Sequence, residues 1–420
     1  MPGFKLLKYV IIALGRKLYD RYGYEYSPPI GNKFQIREVM TMNTANDSEL
    51  TRSEYTEKIY AEVFGEPARV FDTEDVIGGI ERALEVGSRP VFLEGLSESL
   101  TRLGTACSEE DTELMLAEVM RRYTDILGKS CPRTVREWCR GTTPGVTNRR
   151  NNYDLCYALE MDYRQTAVFF QKHYLSLPFI IKAKVDAVFL YCLYHRKPYS
   201  VVTELLERSK GFVSRENAHT STSQIAAVIF DIDDDEKFLR YLSEHCYGSE
   251  QCFRLARKMI GDELEHVKRR LLRYSSKDIV SPKRLGALTI RELLGEKYQR
   301  GKKYSKSRVL PKRFTESLPN DVTLGKIVNG EGASYELLRK TLALLKFNNF
   351  YNEADNCDED SVRGNLMDFY DELNTALIEC GFAQLYVCHP FDCLLLFCAN
   401  SYEPIDALNC VMNYGRNPNL

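Results

Sequence analysis

Apolar residues recur at three- and four-residue intervals through most of the chain, the spacing of a helix packed on one side. Between positions 111 and 127 the stripe is Leu114, Leu116, Ala117, Met120, Tyr123 and Leu127. Similar stripes run through 153–159, 162–174, 185–194, 200–206, 236–246 and 252–272, and again through 335–347, 366–380, 391–398 and 404–412. Strand-like alternation is confined to 89–93 and 226–231. The pattern predicts a mainly α, multi-helical protein.

Periodicity lapses in three places. Residues 26–51 carry Pro28, Pro29 and Gly31 among several Asn and Thr residues, as a connection would. Residues 297–313 hold eight Lys or Arg side chains and no acid, and 348–364 form a shorter acidic loop. An apolar run at 9–15, flanked by Lys5, Lys8, Arg16 and Lys17, is too short to span a bilayer, and no small-residue cleavage site follows it. The segments expected are an N-terminal helix and linker (1–58), a small segment with mixed helical and strand cues (59–108), a first helical module (109–210), a helical insert (211–296), a basic linker (297–310) and a second helical module (311–420).

The two modules read as an internal duplication. Thr-Val-Arg-Glu-Trp-Cys-Arg-Gly at 134–141 lies over Thr-Leu-Gly-Lys-Ile-Val-Asn-Gly at 323–330. Val135, Trp138 and Cys139 match Leu324, Ile327 and Val328 at i, i+3, i+4, and each glycine suits a left-handed helix cap. Continued without a gap, Arg150 meets Arg339. Further on, 185–193 aligns with 391–399, with Asp186/Asp392, Leu190/Leu396 and Cys192/Cys398 identical, and Pro198 meets Pro404 after the same interval. Each aspartate is expected near a helix start and each proline at the opening of the next helix.

Residues 113–170 resemble the lambda-repressor-like (Cro or xenobiotic-response-element-like) helix-turn-helix family. The carrying residues are the 134–141 segment, Pro144, and Tyr-Asp-Leu-Cys-Tyr-Ala-Leu at 153–159 followed by Met161. The resemblance implies a recognition helix over the 134–141 segment, preceded by a helix at 113–127 and a turn at 128–132. The whole chain is also similar to proteins of gut Firmicutes with the same Asp–helix–Pro–helix tail, a likeness that implies no activity. In the family a recognition helix offers outward side chains to the major groove. Here those are Arg133, Thr134, Arg136 and Arg140, with Arg149 and Arg150 as expected backbone contacts. Lys302, Lys303 and Lys306, interleaved with Tyr298 and Tyr304, form a second basic candidate. The comparable positions of the second module, Gly325, Lys326 and Asn329, read DNA less well.

Composition narrows this picture. The chain has 420 residues, 44% hydrophobic and 28% charged, enough to bury a sizeable core, and length alone suggests about three domains. A formal net charge of −2 excludes attachment to polyanions by bulk charge, so any nucleic-acid contact must use a local basic face. Thirteen cysteines, an odd number with no C-x-x-C pair, read as reduced core thiols of a cytoplasmic protein, without structural zinc. The six histidines form no H-E-x-x-H, and no phosphate loop, G-x-S-x-G or G-x-G-x-x-G occurs, so neither an enzyme nor a cofactor is expected. The Asp-Ile-Asp-Asp-Asp-Glu run at 231–236 reads as a helix cap before it reads as a cation site. The expected partner is double-stranded DNA and the expected role regulatory. The other reading is a helical interaction scaffold, with a protein partner or another copy of the chain and no membrane.

Overall fold

A computed structural model describes residues 63, 64, 70–72, 76, 78, 91–144, 149–214, 228–274 and 317–412. The expectations for 1–58 and for the basic run 297–313, Lys302, Lys303 and Lys306 included, lie outside the described residues.

The protein is mainly helical. In chain order the helices are α1 (Val91–Arg102), α2 (Thr112–Leu127), α3 (Arg133–Cys139), α4 (Arg149–Ala158), α5 (Tyr163–His173), α6 (Lys184–Tyr194), α7 (Tyr199–Arg208), α8 (Asp235–His245) and α9 (Ser249–Tyr274). They continue as α10 (Asp321–Val328), α11 (Tyr335–Tyr351), α12 (Glu359–Glu379), α13 (Pro390–Ala399) and α14 (Pro404–Met412). Among the described residues, β pairing is limited to two isolated bridges. Neither stretch with strand-like alternation is a strand where it is described: residues 91–93 open α1 and 228–231 are helical. In α1 the longer register of Phe92, Leu96 and Leu100, all buried, outweighs a five-residue alternation.

Two hydrophobic cores organise these helices. The first gathers Leu96 of α1, Val119 and Tyr123 of α2, Trp138 of α3, Leu155 of α4, Phe170 of α5, Phe189 of α6 and Val202 of α7. Phe238 and Leu242 of α8 close it. The second holds Ala256 and Ile260 of α9, Leu342 and Phe347 of α11, Phe369 of α12, Leu395 of α13 and Leu408 of α14, with Phe71 against Phe397. Cys246 belongs to the first core and Tyr247 to the second. The stretch read as an insert is therefore shared, α8 completing one core and α9 founding the other.

Local chemistry explains the starts and stops. Asp162 and Gln165 cap α5 reciprocally, Asn320 and Thr323 do so for α10, and Asp358 and Ser361 for α12. The Lys184 ammonium, buried and without a carboxylate partner among the described residues, donates to the Ser209 and Phe212 carbonyls just past α7, where a cation suits a helix C-terminus. Main-chain bonds join the halves: Lys184 N–H donates to Tyr247 O at 2.9 Å, and Tyr247 N–H to Lys182 O at 2.7 Å. Tyr386 adds a hydroxyl bond to Gln171 O at 3.2 Å.

Candidate functional site

α2 ends at Gly128, whose φ of +64° turns the chain toward α3. Val135, Trp138 and Cys139 bury one side of α3, as the apolar spacing requires, and leave Arg133, Thr134 and Arg140 exposed. Arg136 is half-buried, and its Nε is enclosed without an acceptor among the described residues. Arg150 is exposed at the start of α4. Lys129, in the turn, reaches the Tyr199 hydroxyl at 2.6 Å and the buried Asp154.

Acids answer part of this charge. Arg133 Nε bonds Glu137 Oε1 at 2.8 Å, Arg140 Nε lies 3.6 Å from Glu113 Oε1, and Arg150 Nε lies 4.0 Å from Asp154 Oδ2. Five basic side chains thus face three acids, and the patch keeps a net positive charge on a chain whose total is −2.

Arg149 does not belong to that face. It is buried, and its guanidinium bonds Asp186 through Nε at 2.9 Å and the Leu177 carbonyl through Nη2 at 3.0 Å. The expectation that it contacts a DNA backbone is corrected. A guanidinium taken out of water needs a buried counter-charge, and Asp186 supplies one.

The same arrangement occurs in the second half. Arg339 bonds Asp392 through Nη1 at 2.8 Å and Nη2 at 2.7 Å, and donates to the Ala383 and Gln384 carbonyls. In each half the arginine reaches a carbonyl nine positions before its aspartate, Leu177 or Ala383. In each, the N–H six positions before the aspartate, Ile180 or Tyr386, donates to the carboxylate. The residue standing where Arg339 stands is therefore Arg149, one position before the Arg150 that the gapless alignment selects. Burial would push the Asp392 carboxyl up, but the charges of Arg339 and His389 and their hydrogen bonds hold it well below the usual carboxylate range.

The helix before each arginine ends alike. Gly141 N–H donates to Trp138 O and Thr142 N–H to Glu137 O; Gly330 N–H donates to Ile327 O and Glu331 N–H to Lys326 O. Both glycines have positive φ, +93° and +74°, as their cap role predicts. One apolar match departs from expectation: Val328 is 62% exposed where Cys139 is buried.

The two arginine–aspartate clamps meet at the junction of the halves. Ser176 and Leu177 of the first clamp line a small pocket with Tyr335, Arg339, Tyr386 and His389 of the second. The pocket is small, with room for about one water. The acidic run at 231–236 caps a helix, as expected: Asp234 accepts Lys237 N–H at the start of α8, and Asp235 accepts from Tyr191 Oη and Lys197 Nζ. Burial opposes ionisation of Asp235, yet Lys197 and Tyr191 hold its carboxyl below the usual range. Among the described residues no three His, Cys, Asp or Glu side chains gather as a metal site would require.

No family model matches the chain, and no curated protein or solved structure is significantly similar to it.

Proposed function

We propose that the chain is a non-enzymatic, DNA-associated regulatory protein built from a duplicated helical unit, whose first copy contacts duplex DNA through α3. The observation that carries the reading is the exposed basic face of Arg133, Thr134, Arg140 and Arg150 on helices whose opposite sides are locked in a core. Arginine forks suit phosphate oxygens and guanine edges. The exposed Arg133–Glu137 pair, worth about 0.3–0.5 kcal/mol at such sites, is cheaply exchanged for a phosphate. The matching clamps and helix caps support the duplication. In the second copy α10 offers Lys326 beside Gly325 and Asn329, and this copy serves the architecture instead.

Fluorescence polarisation of labelled mixed-sequence duplex tests the reading. The expected result is binding that weakens with salt, by about 0.9 log units per phosphate contact for each decade of salt. An Arg133→Ala/Arg136→Ala/Arg140→Ala variant loses it. No binding at low salt would sink the proposal.

The acids opposite these arginines favour a second reading, in which the face is an ordinary solvated surface and the protein is an interaction scaffold. On that reading the triple variant leaves capture of a protein partner unchanged.

A further inference from the structure

Glu113 and Glu137 are the acids that face Arg140 and Arg133 of α3. Glu113 is exposed on the first turn of α2 and meets Arg140 across the turn; Glu137 lies one helical turn beyond Arg133 on the open side of α3. Beyond these arginines, neither carboxylate has a polar partner among the described residues. Glu118, by contrast, is drawn into the protein, bonding Arg121 and the buried Arg122, which also holds Glu160. Arg136 stands between the two acid-matched arginines with neither an acidic partner nor an acceptor for its Nε among the described residues.

From this distribution we infer that Glu113 and Glu137 are built-in competitors for the DNA phosphates, occupying Arg133 and Arg140 and so setting the affinity of the α3 face. The inference rests on the DNA reading above. Its physical content is an exchange. Arg136, half-buried between Arg133 and Arg140, adds a charge that meets no acid among the described residues. Arg133 and Arg140 leave their glutamates for phosphate oxygens, and the two freed carboxylates, now beside a polyanion, oppose the complex. Removing those two negative charges removes both the competition and the repulsion.

The test is Glu113→Gln/Glu137→Gln in the full chain, titrated against the same labelled duplex at moderate salt. Glu331→Gln/Glu403→Gln in the second half is the control, two residues that are also exposed and whose replacement removes the same two charges. Unchanged far-UV circular dichroism and Trp138 fluorescence establish that the variants are folded. The double variant should bind roughly tenfold tighter, the scale of two unit charges a few ångströms from phosphate in a largely aqueous setting. The control should stay within about twofold of the wild type, since a distant exposed charge is largely screened. If the wild type binds and the double variant is no tighter than the control, the inference fails and the DNA reading stands. Equal gains in the double variant and the control would show a bulk-charge effect and also overturn it. If neither the wild type nor the double variant binds at low salt, both fall.

Discussion

Arg339→Met is the most direct probe of what holds the second half together. Arg339 and Asp392 are both almost wholly buried, and the guanidinium makes four hydrogen bonds, two to the carboxylate and one each to the Ala383 and Gln384 carbonyls. Methionine fills much of the volume but strands the carboxylate with the Tyr386 N–H and His389 as partners. Breaking a buried pair from one side destabilises by about 3–5 kcal/mol, because the remaining charge stays out of water. With a urea slope near 2 kcal/mol per molar, the midpoint should fall by about 1.5–2.5 M.

Two probes make the measurement specific. Trp138 is the only tryptophan and lies in the first core, so its fluorescence follows the first half, whereas far-UV circular dichroism follows both. Arg339→Met should move the dichroism transition further than the fluorescence transition, and Arg149→Met should reverse that order. The double variant Arg339→Met/Asp392→Leu should recover about 2–3 kcal/mol relative to the sum of the single changes, since no lone charge remains. Destabilisation below about 1 kcal/mol, or strict additivity in the double variant, would refute the claim that the clamp organises this half.

Three further outcomes follow from the structure. Because the folded Asp392 carboxyl titrates below its unfolded range near 3.9, the stability it contributes is complete above that range and disappears as pH falls; urea titrations from pH 5 toward pH 2 should show wild type losing more stability than Asp392→Asn, and equal losses would contradict the assignment. Gly381→Ala should destabilise by about 2–4 kcal/mol, since φ is +68° and a Cβ would sit 2.7 Å from the buried Cys252 Sγ, while Gly330→Ala, at φ +74° with open space around it, should cost only about 1–2 kcal/mol in thermal or urea unfolding. Of the thirteen thiols, exposed Cys357 should react with a disulfide reagent at once and half-buried Cys107 and Cys410 slowly, the other ten only on unfolding; burial pushes Cys131 up to about 11 and Cys139 up to about 12, and rapid reaction of more than three thiols in the native protein would contradict this packing.

Most helices were legible because their apolar residues recur at the helical period, and the errors lie where that period is ambiguous. In α2 the buried row is Met115, Leu116, Val119, Tyr123 and Leu127, while Leu114 and Met120 from the expected stripe are 47% and 42% exposed. Two registers of the same helix were both rich in apolar residues. The buried row is the one packed into the first core with Trp138, Leu155 and Val202, tertiary contacts that no local window contains. The acidic loop expected at 348–364 shrinks for a different reason. α11 runs on to Tyr351, and the Asp358–Ser361 capping box starts α12 before its first apolar residue. The capping residues are plain in the sequence, but a search for apolar stripes passes over them.

The clamps mark the deeper boundary of what could be read. Arg149 and Arg150 are adjacent and identical in type, and local sequence gives no sign that one would be buried and the other exposed. Burial of an arginine is decided by whether a carboxylate waits for it, and Asp186 is 37 positions away. The pertinent signal was nonetheless present in the second match, where Asp186 and Asp392 coincide in otherwise apolar surroundings. Two aspartates in the middle of apolar runs, in segments rich in Leu, Phe and Cys, call for a cation as well as a helix start, because a carboxylate surrounded by hydrocarbon is stable only when paired. The arginine lies 37 positions before its aspartate in one half and 53 in the other, so a search at a fixed distance from the aspartates would not have set Arg149 against Arg339. That difference is absorbed largely by α11 and α12, which are longer than α4 and α5, while the last nine positions before each aspartate keep their spacing. The invariant part of the arrangement is thus the segment that touches the arginine, as expected if the ion pair fixes the geometry and the helices around it are free to lengthen.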